Sequence, residues 1–105
     1  MKYKVIWHPD SREEVASVVL TVKNTFGSIT AKKVIAKFRE VESLLSSNPY
    51  LGTEDKDNPP CRVLHSWHNR IYYVFDNETI NILAVWDNRQ DDARIPDILG
   101  RRNKR

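Results

Sequence analysis

The segment Thr79–Trp86 is the part of the sequence that most restricts the folds this chain can adopt. One alternating set of its residues is Ile80, Ile82 and Ala84, and the other is Asn81, Leu83 and Val85. Alternation over this length is typical of a β-strand, and apolar residues in both sets indicate that both faces are covered. We therefore expect Thr79–Trp86 to be the central strand of a sheet, buried on both sides.

Two amphipathic helices are predicted after a first strand. Lys2–Trp7 alternates and is rich in β-branched and aromatic residues, so it is predicted to be that strand. Asp10 and Glu13 resemble a capping box at the start of the first helix, Gly27 suits its end, and Thr30 can cap the second helix. The apolar stripes at helical spacing are Val15, Val19, Val22 and Phe26 in the first helix and Val34, Ile35, Phe38, Val41 and Leu45 in the second. The short connection predicts an antiparallel helical hairpin.

The second half of the chain is predicted to form a β-meander. Its elements are a loop over Asn48–Pro60, strands over Cys61–Ser66 and Asn69–Phe75, a turn over Asp76–Glu78 and the strand Thr79–Trp86. Pro96 suits the start of a short C-terminal helix, and Gly100 suits its end. The order β-α-α-β-β-β predicts an α+β fold in which a helical hairpin packs on a small, mostly antiparallel sheet. We expect residues 1–105 to form a single domain.

Composition and charge narrow the classes of function. The sequence contains no apolar run near the roughly 20 residues of a membrane helix and no secretory signal pattern, so we expect a cytoplasmic protein without a membrane partner. Cys61 is the one cysteine, and its spacing from the three histidines does not match a metal site, so we expect no disulfide, metal or cofactor. The net charge of +3 is mildly basic, and the tail Arg101–Arg105 is expected to be a solvated basic end.

Cations and aromatic residues concentrate on and around the predicted meander. The candidate catalytic residues are Arg62, His65, Arg70 and Arg89, and the candidate RNA-binding residues are Lys56, His68, Tyr72, Trp86 and Asn88. Adjacent antiparallel strands can bring such side chains close together. Guanidinium groups hold phosphates and aromatic rings stack on bases, so this set suits an RNA strand. The alternative is that the arginines are strand-edge charges and the histidines are turn residues, exposed to solvent like most charged side chains.

The same residue types could cleave RNA without a metal. The 2′-hydroxyl must lose a proton to attack the neighbouring phosphate, the charge of the phosphorane must be stabilised, and the 5′-oxygen must gain a proton. Histidine suits the proton transfers because its ordinary pKa is about 6.5. Arginine suits the charge stabilisation because its guanidinium group stays protonated and matches the geometry of phosphate oxygens.

The spans His68–Asp76 and Ile80–Asp91 resemble the C-terminal half of the RelE/ParE toxin superfamily, of the plasmid-stabilisation type. In that family an arginine-bearing strand leads through a tight turn to a final apolar strand, which is followed by a segment carrying an arginine. The predicted helical hairpin is similar to the family's as well. The resemblance implies the toxin of a type II toxin–antitoxin module, which a cognate antitoxin neutralises.

The resemblance also implies roles for individual residues. It places the family's strand arginine on Arg70, its later arginine on Arg89, and a further arginine of the RelE branch on Arg62 or near His65. Ile95 stands where the RelE branch has a tyrosine. RelE-like members cut mRNA in the ribosomal A site, whereas ParE-like members inhibit DNA gyrase without being nucleases.

The arginine–histidine set leads us to expect a ribosome-dependent mRNA endonuclease that inhibits translation. In that hypothesis Arg62, Arg70 and Arg89 stabilise phosphate charge and His65 carries a proton. One alternative is a non-enzymatic inhibitor of DNA gyrase. Another is a degenerate toxin that acts only within an antitoxin-bound repressor complex.

Overall fold

A five-stranded mixed sheet forms the centre of the computed structural model, which describes residues 2–103. The elements are β1 (Lys4–Trp7), α1 (Pro9–Phe26), α2 (Ser28–Ser47), β2 (Thr53–Glu54), β3 (Arg62–Ser66), β4 (Asn69–Phe75), β5 (Thr79–Asp87) and α3 (Ile95–Arg102), the last preceded by a 3₁₀ turn over Asp92–Arg94. The strand order is β1-β5-β4-β3-β2, and only the β1–β5 pair is parallel. The predicted α+β fold and the central position of the last strand are therefore confirmed.

Both helices of the hairpin begin earlier than the capping signals indicated. His8 is the N-cap of α1, and its Nδ1 accepts a hydrogen bond of 3.1 Å from the Asp10 backbone N–H. The predicted Asp10–Glu13 box is wrong because Pro9, which suits a first helical position, already lies inside the helix. The prediction that Thr30 caps α2 is also wrong, because α2 begins at Ser28 directly after Gly27. Gly27 joins the helices alone, with a φ of 94° that favours glycine.

The helical hairpin covers one face of the sheet. Its buried apolar residues pack with Ile71, Tyr73, Ile80, Ile82 and Val85 from β4 and β5, and they are Val22, Ala31, Val34, Phe38, Val41 and Leu45. The predicted stripes are confirmed in their central parts, where the helices lie over the sheet. Phe26 was wrongly placed in the core, since its side chain lies at the tip of the hairpin and is 67% exposed.

A bulge in β5 changes which residues share a face. Tyr72 is opposite Ala84 and Tyr73 is opposite Ile82, so Leu83 is an extra residue without a partner in β4. The extra residue reverses the alternation beyond it. Val85 therefore joins Ile82 under the hairpin, while Ala84 joins Leu83 on the opposite face, which corrects the predicted grouping.

Helix α3 covers this opposite face and is held there by its last arginine. Ile95, Ile98 and Leu99 pack against the β4–β5 face, and Pro96 lies in the first turn as predicted. Gly100 does not end the helix, which continues to Arg102.

Arg102 connects α3 to α1 and to the bulge. Its Nη1 donates to Glu14 Oε1 at 2.9 Å and to the Leu83 carbonyl at 3.0 Å, and Glu14 Oε1 also accepts from the Val85 N–H at 3.0 Å. The prediction of a wholly solvated basic tail is therefore wrong for Arg102, whose side chain is 14% exposed. Lys104 and Arg105 lie outside the described residues.

The predicted loop Asn48–Pro60 is pinned to the sheet. It contains the short strand β2, which pairs with β3, and Cys61 precedes β3 rather than beginning it. The Tyr73 hydroxyl accepts from the Gly52 N–H at 2.8 Å and donates to the Pro49 carbonyl at 2.7 Å. A side chain at Gly52 would lie 2.7 Å from the Val63 carbonyl oxygen, so the close approach of loop and sheet requires glycine.

Among residues 2–103, no helix is long and apolar enough to cross a membrane.

Candidate functional site

One row of side chains crosses three strands on the sheet face that α3 partly covers. His65 of β3 is opposite Arg70 of β4, and Arg70 is opposite Trp86 of β5. The next row on this face contains Val63, Tyr72 and Ala84. The strand register therefore brings three of the predicted site residues side by side, with a fourth, Tyr72, in the adjacent row.

Arg70 is the centre of a polar group that we call the Arg70 cluster, formed by Arg70, Tyr72, Trp86, Asn88 and Asp92. Its Nε donates to Asn88 Oδ1 at 3.1 Å, its Nη1 to the Tyr72 hydroxyl at 3.1 Å, and its Nη2 to Asp92 Oδ1 at 2.5 Å. Only 17% of the Arg70 side chain is exposed, whereas the Asp92 side chain is 63% exposed. Asn88 and Tyr72 therefore hold two edges of the Arg70 guanidinium group. The third edge is bound by the carboxylate of Asp92, which faces solvent.

The electrostatics follow from these contacts. The hydrogen bond from Arg70 lowers the pKa of the Asp92 carboxyl below its ordinary value, and the same bond raises the pKa of Arg70. Burial is the main cause of a raised pKa at Tyr72. At neutral pH the cluster therefore holds a guanidinium cation, a carboxylate and a protonated phenol.

Trp86 and Tyr72 cannot stack on bases in this structure. Both residues are only 3% exposed, because they pack with Ile95, Ile98 and Leu99 of the α3 layer. The indole Nε1 of Trp86 is buried and has no hydrogen-bond partner among the described residues. Trp86 is nevertheless the smallest of the causes that act on the lowered pKa of the Asp92 carboxyl.

The two turns at this end of the sheet place further predicted residues near Arg70. Trp67 has a φ of 57°, is 54% exposed and lies with its ring 4.8 Å from that of His68. The Asn88 N–H donates to the His68 carbonyl at 3.1 Å, which joins the β3–β4 turn to the segment after β5. The Trp67 ring is therefore the exposed aromatic surface beside the Arg70 cluster.

Arg89 lies in the same segment and is bound to an acidic neighbour. Its Nη2 donates to Asp87 Oδ2 at 3.0 Å, and its side chain is 84% exposed. The hydrogen bonds from Arg89 lower the pKa of Asp87. Arg89 thus reaches solvent, and a ligand anion would have to compete with Asp87 for it.

Arg62 does not join this site. It is opposite Tyr73 in the register, so its side chain is on the hairpin face rather than the Arg70 face. Its Nε and Nη2 both donate to the Gly52 carbonyl, at 3.0 and 2.7 Å, and its guanidinium lies 5.3 Å from the Tyr50 ring centre. The structure therefore contradicts the expectation that Arg62 shares a phosphate site with Arg70, and it shows Arg62 bracing the loop.

Lys56 and Cys61 do not take part in the hydrogen bonds of the Arg70 cluster, although Cys61 packs in the same apolar cluster as Tyr72 and Trp86. Lys56 is exposed and, with Arg62, lines a cavity of about 770 Å³ beside the loop. Cys61 is buried, and burial raises the pKa of its thiol to about 11, so it is not a nucleophilic thiolate at neutral pH.

Among residues 2–103, no group of three or more His, Cys, Asp or Glu side chains is placed to hold a metal ion.

Asp92 is a residue at this end of the sheet that the predicted site omitted. Asp92 follows directly after the Arg89 segment, so an acidic pair in Asp91-Asp92 was visible in the sequence. Its contact with Arg70 spans 22 positions and depends on the turn geometry, which no local pattern encodes.

Comparisons with known proteins agree with this architecture. A family model described as the ParE toxin of the type II toxin–antitoxin system parDE matches residues 5–92. A solved structure titled "Chromosomal ParDE TA system from P. aeruginosa" superposes with a TM-score of 0.70 at 17% sequence identity, covering 82% of this chain and 96% of that chain. At that identity the superposition shows a shared fold. No curated protein sequence matches the chain.

Proposed function

Because this chain belongs to the ParE toxin family of type II toxin–antitoxin systems, we propose that it arrests growth by binding DNA gyrase, and that a cognate antitoxin neutralises it. Membership of the family establishes the toxin class, and the target is the proposed part. Gyrase acts in the cytoplasm, so the proposal places the toxin there.

The proposal rests on the hydrogen-bond partners of the three arginines that were predicted to be catalytic. Arg62 is bound to the Gly52 carbonyl, Arg70 to Asp92, and Arg89 to Asp87. A nuclease of this kind needs fixed cations aimed at the phosphate that becomes charged in the transition state. Here the cations are divided between two faces and face protein acceptors, which favours a toxin that acts by binding.

Purified toxin and gyrase test this proposal directly. We expect the toxin to reduce ATP-dependent supercoiling of relaxed plasmid, and toxin preincubated with its antitoxin to leave supercoiling unchanged. Primer extension on an abundant transcript after induction should show intact message. Unchanged supercoiling at high toxin excess would refute the gyrase proposal.

A ribosome-dependent mRNA endonuclease remains the second candidate because one observation favours it. His65 and Arg70 are opposite each other on β3 and β4, and Trp67 and His68 offer an exposed aromatic surface nearby. In that mechanism His65 would carry the proton, and Arg70 would leave Asp92 to stabilise the phosphorane. Transcript cleavage that disappears in His65→Ala would favour this candidate over gyrase binding.

The third candidate is a toxin that neither inhibits gyrase nor cleaves mRNA. Binding of antitoxin and operator DNA, with supercoiling and transcripts both unaffected, would identify a chain that acts only in a repressor complex. These three assays therefore separate all the proposed functions.

A further inference from the structure

The end of the helical hairpin carries an exposed apolar patch. Phe26 ends α1 and Ile29 lies in the first turn of α2, on either side of Gly27, and their side chains are 67% and 76% exposed. The buried part of the hairpin ends before this point, at Val22 and Ala31, and neither Phe26 nor Ile29 belongs to the core. Exposed apolar side chains that lie together contribute little to the stability of a free protein, and such patches mark interaction surfaces.

Positive charge surrounds this patch. Residues 15–39 include five lysines and arginines and no aspartate or glutamate. Lys23 lies three positions before Phe26 on α1, and on α2 Lys32 and Lys33 lie three and four positions after Ile29. Residues at this spacing share a helix face, so each lysine is next to one of the apolar side chains. We call these residues the hairpin tip, which consists of Lys23, Phe26, Ile29, Lys32 and Lys33.

The lysines of the hairpin tip have no acidic partner within the protein. Among residues 2–103, none of Lys23, Lys32 and Lys33 takes part in an ion pair, and no acidic residue lies within one helical turn of them. The positive potential of the hairpin tip is therefore not neutralised by neighbouring charges of the chain. A complementary partner for this surface is acidic.

We propose that the hairpin tip is the surface through which the toxin binds gyrase, and that it docks on an acidic protein surface with an apolar recess for Phe26 and Ile29. The inference rests on the proposed function for the identity of the partner and adds the contact surface. An apolar centre within a charged rim is the usual anatomy of a protein–protein interface. Attraction between the lysines and the acidic surface speeds the encounter, and burial of the two apolar side chains holds the complex together.

The composition of the hairpin end favours a protein partner over a membrane or a nucleic acid. Asn24, Thr25 and Ser28 are exposed polar residues interspersed with Phe26 and Ile29. The hydrocarbon of a membrane would leave these polar groups without hydrogen-bond partners, whereas a protein surface can supply them. The phosphates of a nucleic acid would pair with the lysines and leave the apolar centre uncovered.

The test measures the affinity of the full chain for purified gyrase without DNA, together with the inhibition of supercoiling. Phe26→Ser and Ile29→Ser each remove one apolar contact. The double variant Lys32→Glu/Lys33→Glu reverses the charge of the rim. Circular dichroism gives the melting temperature of each variant, so that a loss of binding can be separated from a loss of folding.

A second charge reversal, Lys2→Glu/Lys4→Glu, is the matched control. Both lysines are exposed, and they lie just before β1 and at its start. Helix α1 begins just after β1 and has 18 residues, so it extends about 27 Å from there to the hairpin tip. The control therefore changes the net charge equally and leaves the tip as it is.

We expect the two serine variants and Lys32→Glu/Lys33→Glu to bind gyrase at least roughly tenfold more weakly than wild type, and the control to bind within about twofold of wild type. The wild-type affinity should fall as salt is added, and the charge reversal at the tip should remove most of that dependence. Melting temperatures should stay near the wild-type value because the changed side chains are exposed. If one serine variant fails to fold, the other decides.

Four results would overturn the proposal. Tip variants that bind and inhibit gyrase like wild type would exclude this surface while gyrase remained the target. Equal losses in the two charge reversals would show a general charge effect. Binding to phosphatidylglycerol vesicles or to plasmid DNA alone that the tip variants abolish, with gyrase binding unchanged, would assign the tip to a membrane or to DNA. A wild-type toxin that neither binds gyrase nor inhibits supercoiling would refute the proposed function together with this inference.

Discussion

Replacing Tyr73 by phenylalanine should weaken the fold through two hydrogen bonds. The side chain is fully buried, and its hydroxyl accepts from the Gly52 N–H at 2.8 Å and donates to the Pro49 carbonyl at 2.7 Å. The phenyl ring of Tyr73→Phe keeps the packing with the hairpin, so the change removes one oxygen atom and leaves two buried backbone groups without partners.

The magnitude follows from those two groups. Leaving a buried donor or acceptor unsatisfied costs about 1–3 kcal/mol each, and some relaxation of the loop around Gly52 recovers a part of this. We expect the free energy of unfolding to fall by about 2–4 kcal/mol. A domain of this size has a total of about 5–15 kcal/mol, so the loss is a large fraction. The melting temperature should fall by roughly 10–20 °C.

Urea denaturation followed by circular dichroism measures this change. The midpoint should fall while the slope stays constant, because the surface exposed on unfolding is nearly the same. Tyr50→Phe is the matched control: Tyr50 is 66% exposed, and the change should stay within about 0.5 kcal/mol of wild type. A Tyr73→Phe protein as stable as Tyr50→Phe would refute the role of this hydroxyl in pinning the loop.

Three further changes test the site, the core and the buried thiol. Arg89→Ala should abolish growth inhibition on induction without lowering the melting temperature, because Arg89 is 84% exposed and, within residues 2–103, its side chain bonds to Asp87 alone. Full toxicity would refute its assignment to the site, and Arg101→Ala, at an exposed arginine of α3, should remain toxic. Ile82→Ala should lose toxicity through lost packing, with a fall of about 2–5 kcal/mol in the free energy of unfolding, because Ile82 is fully buried between helices and sheet; a wild-type denaturation midpoint would contradict this. Burial raises the pKa of Cys61 from 9.0 to about 11, so the folded state keeps a proton that the unfolded state releases. Stability should therefore be unaffected by this group below pH 9 and fall between pH 9 and 11, more steeply than in Cys61→Ala; parallel curves for the two proteins would refute the shift.

The structure agrees with the sequence hypothesis on the position of Arg70 and adds an acceptor that the hypothesis did not include. The register places Arg70 beside His65 and Trp86, as a phosphate site on the meander requires. In the same structure, the outer Nη2 of the Arg70 guanidinium group donates a hydrogen bond to Asp92. A strand arginine identified by resemblance alone says nothing about such an acceptor, and the acceptor decides whether the cation is available to a ligand.

Local patterns in the sequence were enough to predict the elements and their general arrangement. The double alternation in Thr79–Trp86 requires cover on both faces, and the structure covers β5 with the hairpin on one side and α3 on the other. The helical stripes predicted which residues of α2 face the sheet, since Val34, Phe38 and Leu45 recur at helical spacing and lie in the core. Periodicity of this kind is a property of neighbouring residues, so the sequence carries it without knowledge of distant contacts.

Only the tertiary structure decided which of those residues share a site. The bulge at Leu83 reverses the faces beyond it, and the strand register puts Arg62 and Arg70 on opposite sides of the sheet. The contacts of Asp92 with Arg70 and of Arg102 with Glu14 join residues 22 and 88 positions apart. Each of these outcomes depends on how strands pair and where helices pack, and a shift of one residue in register would exchange the two faces. The sequence by itself therefore determined the layers of this toxin, and the long-range pairing determined its candidate site.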